Sequence, residues 1–289
     1  MTKREIKYFL VDAYTETAFK GNPAAVCFLE EEKDDEWLQA VAKEFNISQT
    51  CYLIPIVPDG GGSALPRFRL RWFTPVTEVK LCGHATLAAA HTLFLSNLVD
   101  SSTIEFDTLS GVLTAKRVTG TSNGDQSFSI ELNFPSTTIV QCDSSDTELI
   151  SKALNVADFV EVKTTLPEND LLVVLPTGKD VADLQPNIDE IGNIPGRGVI
   201  VTGAAPVESG YDFISRFFCP RFGIPEDPVC GTAHCALTTY WSEKLGKTDF
   251  VAYQASPRGG ILGLRLDKPN HRVYLTGKAI IVMAGCILV

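Results

Sequence analysis

Phe68-Arg69-Leu70-Arg71-Trp72-Phe73-Thr74-Pro75, followed by Cys82-Gly83-His84-Ala85, recurs in the second half of the chain as Phe213-Ile214-Ser215-Arg216-Phe217-Phe218-Cys219-Pro220, followed by Cys230-Gly231-Thr232-Ala233. Both copies fit F-x-x-R-x-F-x-P and then C-G-x-A, offset by 145 residues at the first phenylalanine and 148 at the cysteine. Seven positions matched in one order at half the chain length indicate duplication rather than coincidence. Arg67 to Phe73 alternates polar and apolar side chains, as a half-buried strand does. After each C-G pair an apolar, alanine-rich run, Ala85 to Leu95 and Ala233 to Leu245, reads as a helix. Each copy is then a strand, a loop and a helix that opens at the cysteine, and the chain is expected to form two similar lobes that face each other.

Working outward, Asp34 to Phe45 places Trp37, Leu38, Val41, Ala42 and Phe45 at helical spacing with acidic residues first, where the helix dipole favours them. Thr147 to Leu154 is a second helical stretch; Ser127 to Leu132 alternates, and Leu171 to Leu175 and Val199 to Thr202 read as buried strands. Strands mixed with few helices in both halves give an α+β class. Asp59-Gly60-Gly61-Gly62-Ser63 reads as a hairpin loop, and Thr119 to Asp125 is small and polar, like a linker. The expected organisation is an N-terminal lobe over 1–118, a linker over 119–126 and a C-terminal lobe over 127–289. The last apolar stretch, Ala279 to Val289, reads as a buried strand and is a candidate to pack on the N-terminal lobe.

Composition narrows the function. The 289 residues are 45% hydrophobic, enough for two cores, and 35 acidic against 25 basic residues give a net charge of −10. With no basic run beyond Lys3-Arg4, nucleic acid is not an expected partner. The apolar stretch at the end is about half the ~20 residues a membrane helix needs, and the start lacks a signal core. No membrane partner and a cytosolic location are expected. Eight cysteines without a C-x-x-C pair fit neither a disulfide framework nor a zinc site, so no metal is expected. No phosphate-binding or dinucleotide motif follows a strand, so no cofactor is expected.

The chemistry is expected at the paired C-G motifs. A cysteine just before a helix N-terminus meets unpaired N–H groups and the positive dipole end, which bind carboxylates and lower a thiol's pKa. Gly83 and Gly231 let the backbone approach a ligand without a Cβ in the way. Two such thiols across one molecule would form a two-base arrangement: one removes a proton next to a carboxylate, the other returns it. Asp227 could orient a histidine or hold a proton, or form a turn before Pro228; His84 is favoured for a functional role, His234 is undecided, and His91 and His271 have no such context.

Gly21-Asn22-Pro23-Ala24-Ala25-Val26, Asn46-Ile47-Ser48-Gln49-Thr50, Phe73 through Ala85, and Glu226 through Ala233 together resemble the PhzF-like phenazine-biosynthesis family over nearly the whole chain, most of all its eukaryotic, MAWD-binding-protein-like branch. The resemblance implies the diaminopimelate epimerase fold, in which each of two lobes wraps a curved mixed sheet around a central helix, a homodimer, and a cofactor-free isomerase acting on a small carboxylated substrate. It implies active-site roles for His84 and Asp227, and substrate-binding roles for Thr232 and Ser48. Gln49 stands where the family has its catalytic glutamate, and an amide cannot exchange a proton near neutral pH. Cys230 stands where relatives commonly carry threonine or alanine; with Cys82 it forms a thiol pair similar to those of diaminopimelate epimerase and proline racemase.

The leading expectation is therefore a cofactor-independent isomerase, a racemase/epimerase or proton-shift enzyme, acting on an amino acid or similar small carboxylate in the interlobe cleft. Cys82 and Cys230 would be acid and base, with helix-end amides, Asn22, Ser48, Gly83, Gly231 and Thr232 gripping the substrate. One alternative keeps the family's allylic proton shift on Asp227 or His84. Another is a catalytically silent member that binds a ligand or a protein.

Overall fold

The computed structural model describes residues 5–57, 65–96, 98–119, 128–142 and 147–289. The loop assigned to Asp59–Ser63, and the linker beyond Thr119, lie outside the described residues. The chain divides into two compact units, Met1–Asn133 with Thr276–Val289, and Phe134–Leu275.

The first unit opens with β1 (Glu5–Ala13), antiparallel to β2 (Asn22–Phe28). Helix α1 (Asp35–Phe45) follows because its ends are written in the sequence. Asp34 accepts the Trp37 N–H at 2.8 Å, and Asn46, in the left-handed region at φ 49°, closes the last turn. Its apolar stripe buries Leu38 and Ala42 against Tyr52 and Phe73. β3 (Gln49–Ile56) runs parallel to β2, with Ala24 opposite Gln49. It is antiparallel to β4 (Arg67–Phe73), which carries the first copy of the repeat. β5 (Glu78–Val79) turns back on β4 and delivers the chain to α2 (Gly83–Leu95).

Every residue of α2 from Gly83 to Phe94 is buried. A helix apolar on all sides needs partners on all sides, and α2 packs on β1, β2, β3, β7 and β18. Full burial of a leucine such as Leu87 or Leu93 contributes about 2 kcal/mol. β6 (Thr103–Thr108) lies parallel to β4, followed by the antiparallel β7 (Gly111–Thr119) and β8 (Phe128–Pro135).

The second unit repeats this order. β9 (Thr138–Gln141) pairs with β10 (Glu161–Leu166), and α3 (Thr147–Leu154) lies between them in sequence. β10 is antiparallel to β11 (Leu171–Val174). Two short helices, α4 (Gly178–Ala182) and α5 (Ile188–Asn193), lead to β12 (Val199–Ala204), which is parallel to β11 with Leu171 opposite Val199. β13 (Phe213–Cys219) carries the second copy, β14 (Ile224–Asp227) turns back on it, and α6 (Gly231–Leu245) opens at Cys230. β15 (Asp249–Gln254) is parallel to β13; β16 (Gly260–Asp267) and β17 (Arg272–Gly277) complete the unit. Finally β18 (Ala279–Leu288) returns to the first unit and pairs with β1, as β9 pairs with β10.

The repeat is more than a sequence pattern. Arg71 Nε and Nη2 hold the two carboxylate oxygens of Glu78 at 2.7 and 2.8 Å, and Arg216 holds Glu226 in the same way at 2.7 and 2.9 Å. The guanidinium groups lie 5.1 Å from the Phe73 ring centre and 5.0 Å from that of Phe218. In each unit this brace ties the strand to the loop that leads to the cysteine. Glu78 and Glu226 share the 148-residue offset of the cysteines.

One expectation fails. The strand from Ala279 forms, but it is not buried: Met283, Ala284, Gly285 and Cys286 are exposed. Apolar composition alone gave the burial reading; the strand pairs with β1, but over these consecutive residues, which alternate between its two faces, neither face is covered. Among the described residues no helix is long and apolar enough to cross a membrane.

Candidate active site

In the first unit, Cys82 is the residue before α2, extended at φ −143°, with no side-chain bond to the helix N–H groups. Its Sγ lies 3.4 Å from His84 Nδ1. The same ring nitrogen lies 3.1 Å from Asn22 Nδ2, while Asn22 Oδ1 receives Ser48 Oγ at 2.7 Å. Ser48 Oγ is also 2.7 Å from the Pro23 carbonyl. Asn22 comes from the start of β2 and Ser48 from the turn before β3, so the pairing of these two parallel strands assembles the cluster. Burial keeps the His84 ring neutral and pushes it down to about 3, against the smaller opposing pull of the Pro23 carbonyl. The polar side chains that meet the ring, Asn22 and Cys82, both do so at Nδ1, and Nε2 is buried with no hydrogen-bond partner. Gln49, the next residue along β3, is 4% exposed, and its side-chain oxygen has no hydrogen-bond partner.

In the second unit, Cys230 is the residue before α6 and accepts the Ala233 N–H at 3.5 Å. Thr232 Oγ1 is 3.3 Å from Cys230 Sγ. Asp227 caps the intervening turn by accepting the Val229 N–H at 3.2 Å. Fully buried Gln254 clamps this turn: Oε1 accepts the Cys230 N–H at 2.9 Å and Nε2 donates to the Asp227 carbonyl at 2.6 Å. His234, left undecided by sequence, is structural here. Nδ1 donates to the Cys230 carbonyl at 2.7 Å and Nε2 faces Ser215 Oγ at 3.2 Å. Neither ring nitrogen is left for Asp227 to orient, and burial pushes this ring down to about 4.

The thiol chemistry departs from the sequence expectation. A helix N-terminus lowers a thiol's pKa, but Cys230 is pushed up to about 12, because burial and the Asp227 carboxylate outweigh Arg197, Thr232 and the Ala233 N–H. Sequence locates the helix end but not the depth at which the sulfur lies. Sequence reasoning also missed Gln254 and Arg197. The second could have been sought as a charged residue between two glycines, Gly196-Arg197-Gly198, at the entry to a buried strand. Among the described residues no three His, Cys, Asp or Glu side chains are grouped to hold a metal.

The chain has relatives in both sequence and structure. The model of the phenazine biosynthesis-like protein family matches residues 11–285. The chain belongs to that family. An uncharacterized isomerase of Halalkalibacterium halodurans is 44% identical over 281 residues, covering 97% of each chain. The crystal structure of a PhzF-family phenazine biosynthesis protein of Enterococcus faecalis superposes with a TM-score of 0.84 at 35% identity, covering 99% of this chain and 100% of that one. A hydroxyproline epimerase of Agrobacterium vitis, solved with trans-4-hydroxy-L-proline, has the same fold at TM-score 0.66 and 10% identity over 99% of this chain and 93% of that one. The phenazine biosynthesis-like family is thus isomerase-like, and each unit of this member has the diaminopimelate epimerase-type arrangement of a sheet around a central helix.

Proposed function

We propose that this phenazine biosynthesis-like protein is a cofactor-independent isomerase that moves a proton on the carbon next to the carboxylate of a small metabolite, with Cys82 and Cys230 as its acid and base. The observation that carries this reading is the equivalence of the two thiols. Each precedes the central, buried helix of its unit at the same point of a duplicated frame. In the reaction one sulfur, as thiolate, takes the carbon-bound proton, and the other thiol returns a proton to the carbanion; helix-end N–H groups stabilise the enolate charge. The buried, unpaired oxygen of Gln49 is an acceptor that an ammonium or hydroxyl on the substrate would satisfy, which favours amino and hydroxy acids.

Proton exchange at the α-carbon in heavy water, followed by NMR across a panel of amino acids and hydroxy acids, tests the proposal. Cys82→Ser and Cys230→Ser are each expected to lower exchange at least ~100-fold. Exchange that survives both substitutions removes the thiols from the mechanism and favours a proton shift through Asp227 or His84. A chain that exchanges nothing on the panel while binding one of its members would be a ligand-binding member of the family.

A further inference from the structure

Arg197 stands in a segment pressed against its neighbours. A Cβ on Gly196, at φ +107°, would lie 2.1 Å from the Asn169 carbonyl oxygen, and one on Gly198 would lie 2.6 Å from that of Phe218. Both glycines are required by this close approach, which carries Arg197 to Asp170. Arg197 Nε meets Asp170 Oδ1 at 2.8 Å and Nη2 meets Oδ2, while the guanidinium lies 5.4 Å from the Phe217 ring centre. Asp170 is 2% exposed, so the pair is fixed from the carboxylate side. Nη1 and Nη2 each reach Thr232 Oγ1 at 3.4 Å.

A guanidinium has donors and no acceptor. Thr232 oxygen therefore takes the Arg197 protons on its lone pairs, and its own single proton is free for Cys230 Sγ, 3.3 Å away. The Ala233 N–H approaches the same sulfur. Two donors on one sulfur favour its thiolate form. In the first unit the residue at the equivalent position is His84, whose Nδ1 faces the Asn22 side-chain amide at 3.1 Å as well as Cys82 Sγ at 3.4 Å, and Cys82 receives no helix N–H at its side chain.

We propose that Arg197, held by Asp170, is a positioning residue that aims the Thr232 hydroxyl at Cys230 and makes Cys230 the proton-accepting thiol of the pair, with Cys82 the proton donor. The assignment rests on the two-thiol reaction proposed above. The other charged or titratable groups that face Cys230 work against it or stand further off: Asp227 raises its pKa, Cys219 and Cys235 are its neighbouring thiols, and Glu168 acts on Arg197. Cys230 rests as a thiol at neutral pH and gives its proton to solvent before it takes the substrate's; the Arg197–Thr232 chain reduces the cost of that first step.

The alkylation rate of Cys230 in the whole protein between pH 7 and 9, taken as the difference from Cys230→Ser, follows its thiolate fraction and so its titration, and needs no substrate. Thr232→Val is expected to lower that rate about tenfold at fixed pH, the mark of a Cys230 titration moved upward. So is the paired variant Arg197→Met with Asp170→Asn, which leaves no buried charge unpaired. Arg197→Lys, which keeps the charge but not the fork, is expected to shift it by less. In the Thr232→Val background the paired change is expected to add less than half of its effect in the parent, the signature of action through the hydroxyl. Should the paired variant fail to fold, Thr232→Val and Arg197→Lys still decide. An unmoved Cys230 titration in the variants overturns the positioning role, even if Cys230→Ser abolishes exchange. If instead the titration moves but exchange persists in both cysteine variants, the two-thiol reaction is overturned and with it the assignment of acid and base.

Discussion

The two halves of this molecule share a frame and differ in what they place beside the sulfur. Strand, Arg–Glu brace, turn and buried helix recur at matched positions in both units. Yet Cys82 meets a neutral imidazole steadied by an amide and a hydroxyl, whereas Cys230 meets a hydroxyl backed by a buried ion pair. Backbone geometry that positions a helix end tolerates little change, because its parts brace one another. The residue two positions past the cysteine can differ because its partners arrive from separate strand starts: Asn22 and Ser48 in one unit, Asp170 and Arg197 in the other. Duplication thus supplied two equivalent positions, and local hydrogen-bond direction distinguishes them.

The braces themselves should be unequal, and that is the largest effect expected. Arg216 has a side chain 9% exposed and also donates to the Leu184 carbonyl, whereas Arg71 is 25% exposed. Arg216→Met leaves Glu226 and that carbonyl without their partner in a buried setting and should cost about 3–5 kcal/mol. Arg71→Met, where solvent screens the loss, should cost about 1 kcal/mol or less. Urea unfolding of the two variants gives the comparison; equal losses would mean that the brace is not what separates the units.

Much of this frame can be read from the amino acids alone. The repeated F-x-x-R-x-F-x-P strands, the helices after C-G, α1 and α3 follow from periodicity and capping, which are local. Glu78 and Glu226 would have emerged had the 148-residue offset been followed upstream of the cysteines. Arg197 could not emerge that way. Its partners Asp170 and Thr232 are 27 and 35 positions distant, and nothing in a loop's composition states which carboxylate it will meet. The exposed stretch of β18 and the high pKa of Cys230 escaped for a related reason: both depend on how much protein covers a residue, which apolar composition and helix ends do not specify.

Acid should separate the units next. Burial pushes His84 to about 3 and His91 to about 4 in the first unit, and His234 to about 4 in the second. The unfolded chain takes up these protons near pH 6.5, while the folded chain refuses them until about pH 4 or below. Stability is therefore full above pH 6.5 and falls as the pH drops through that window, by up to about 1.4 kcal/mol per pH unit for each ring. With two such rings, the first unit should lose amide-exchange protection before the second between pH 6.5 and 4.5. His91, stacked 5.2 Å from Phe128, can be changed without touching the cysteine cluster. His91→Leu should flatten the first unit's decline by about one proton's worth, and an unchanged slope would assign the acid sensitivity elsewhere.

The smallest expected effect bears most closely on the contrast between the two sulfurs. Ser48 Oγ, 2.7 Å from Asn22 Oδ1, holds the amide so that its NH2 faces His84 Nδ1. Nitrogen-15 NMR of the histidine rings should then find the His84 proton on Nε2, with Nδ1 accepting from Asn22 and giving Cys82 no proton. Ser48→Ala removes the hydroxyl shared between Asn22 Oδ1 and the Pro23 carbonyl, a loss of about 1 kcal/mol, and frees the amide to rotate. Either orientation of Asn22 becomes available to the ring, so the Nδ1–H form should gain population and the averaged shifts should move toward each other. The Nδ1–H form donates to Cys82 and would treat it as Thr232 treats Cys230. A parent protein already protonated at Nδ1 would therefore make the surroundings of the two sulfurs electrostatically alike, and neither would be favoured over the other as a base.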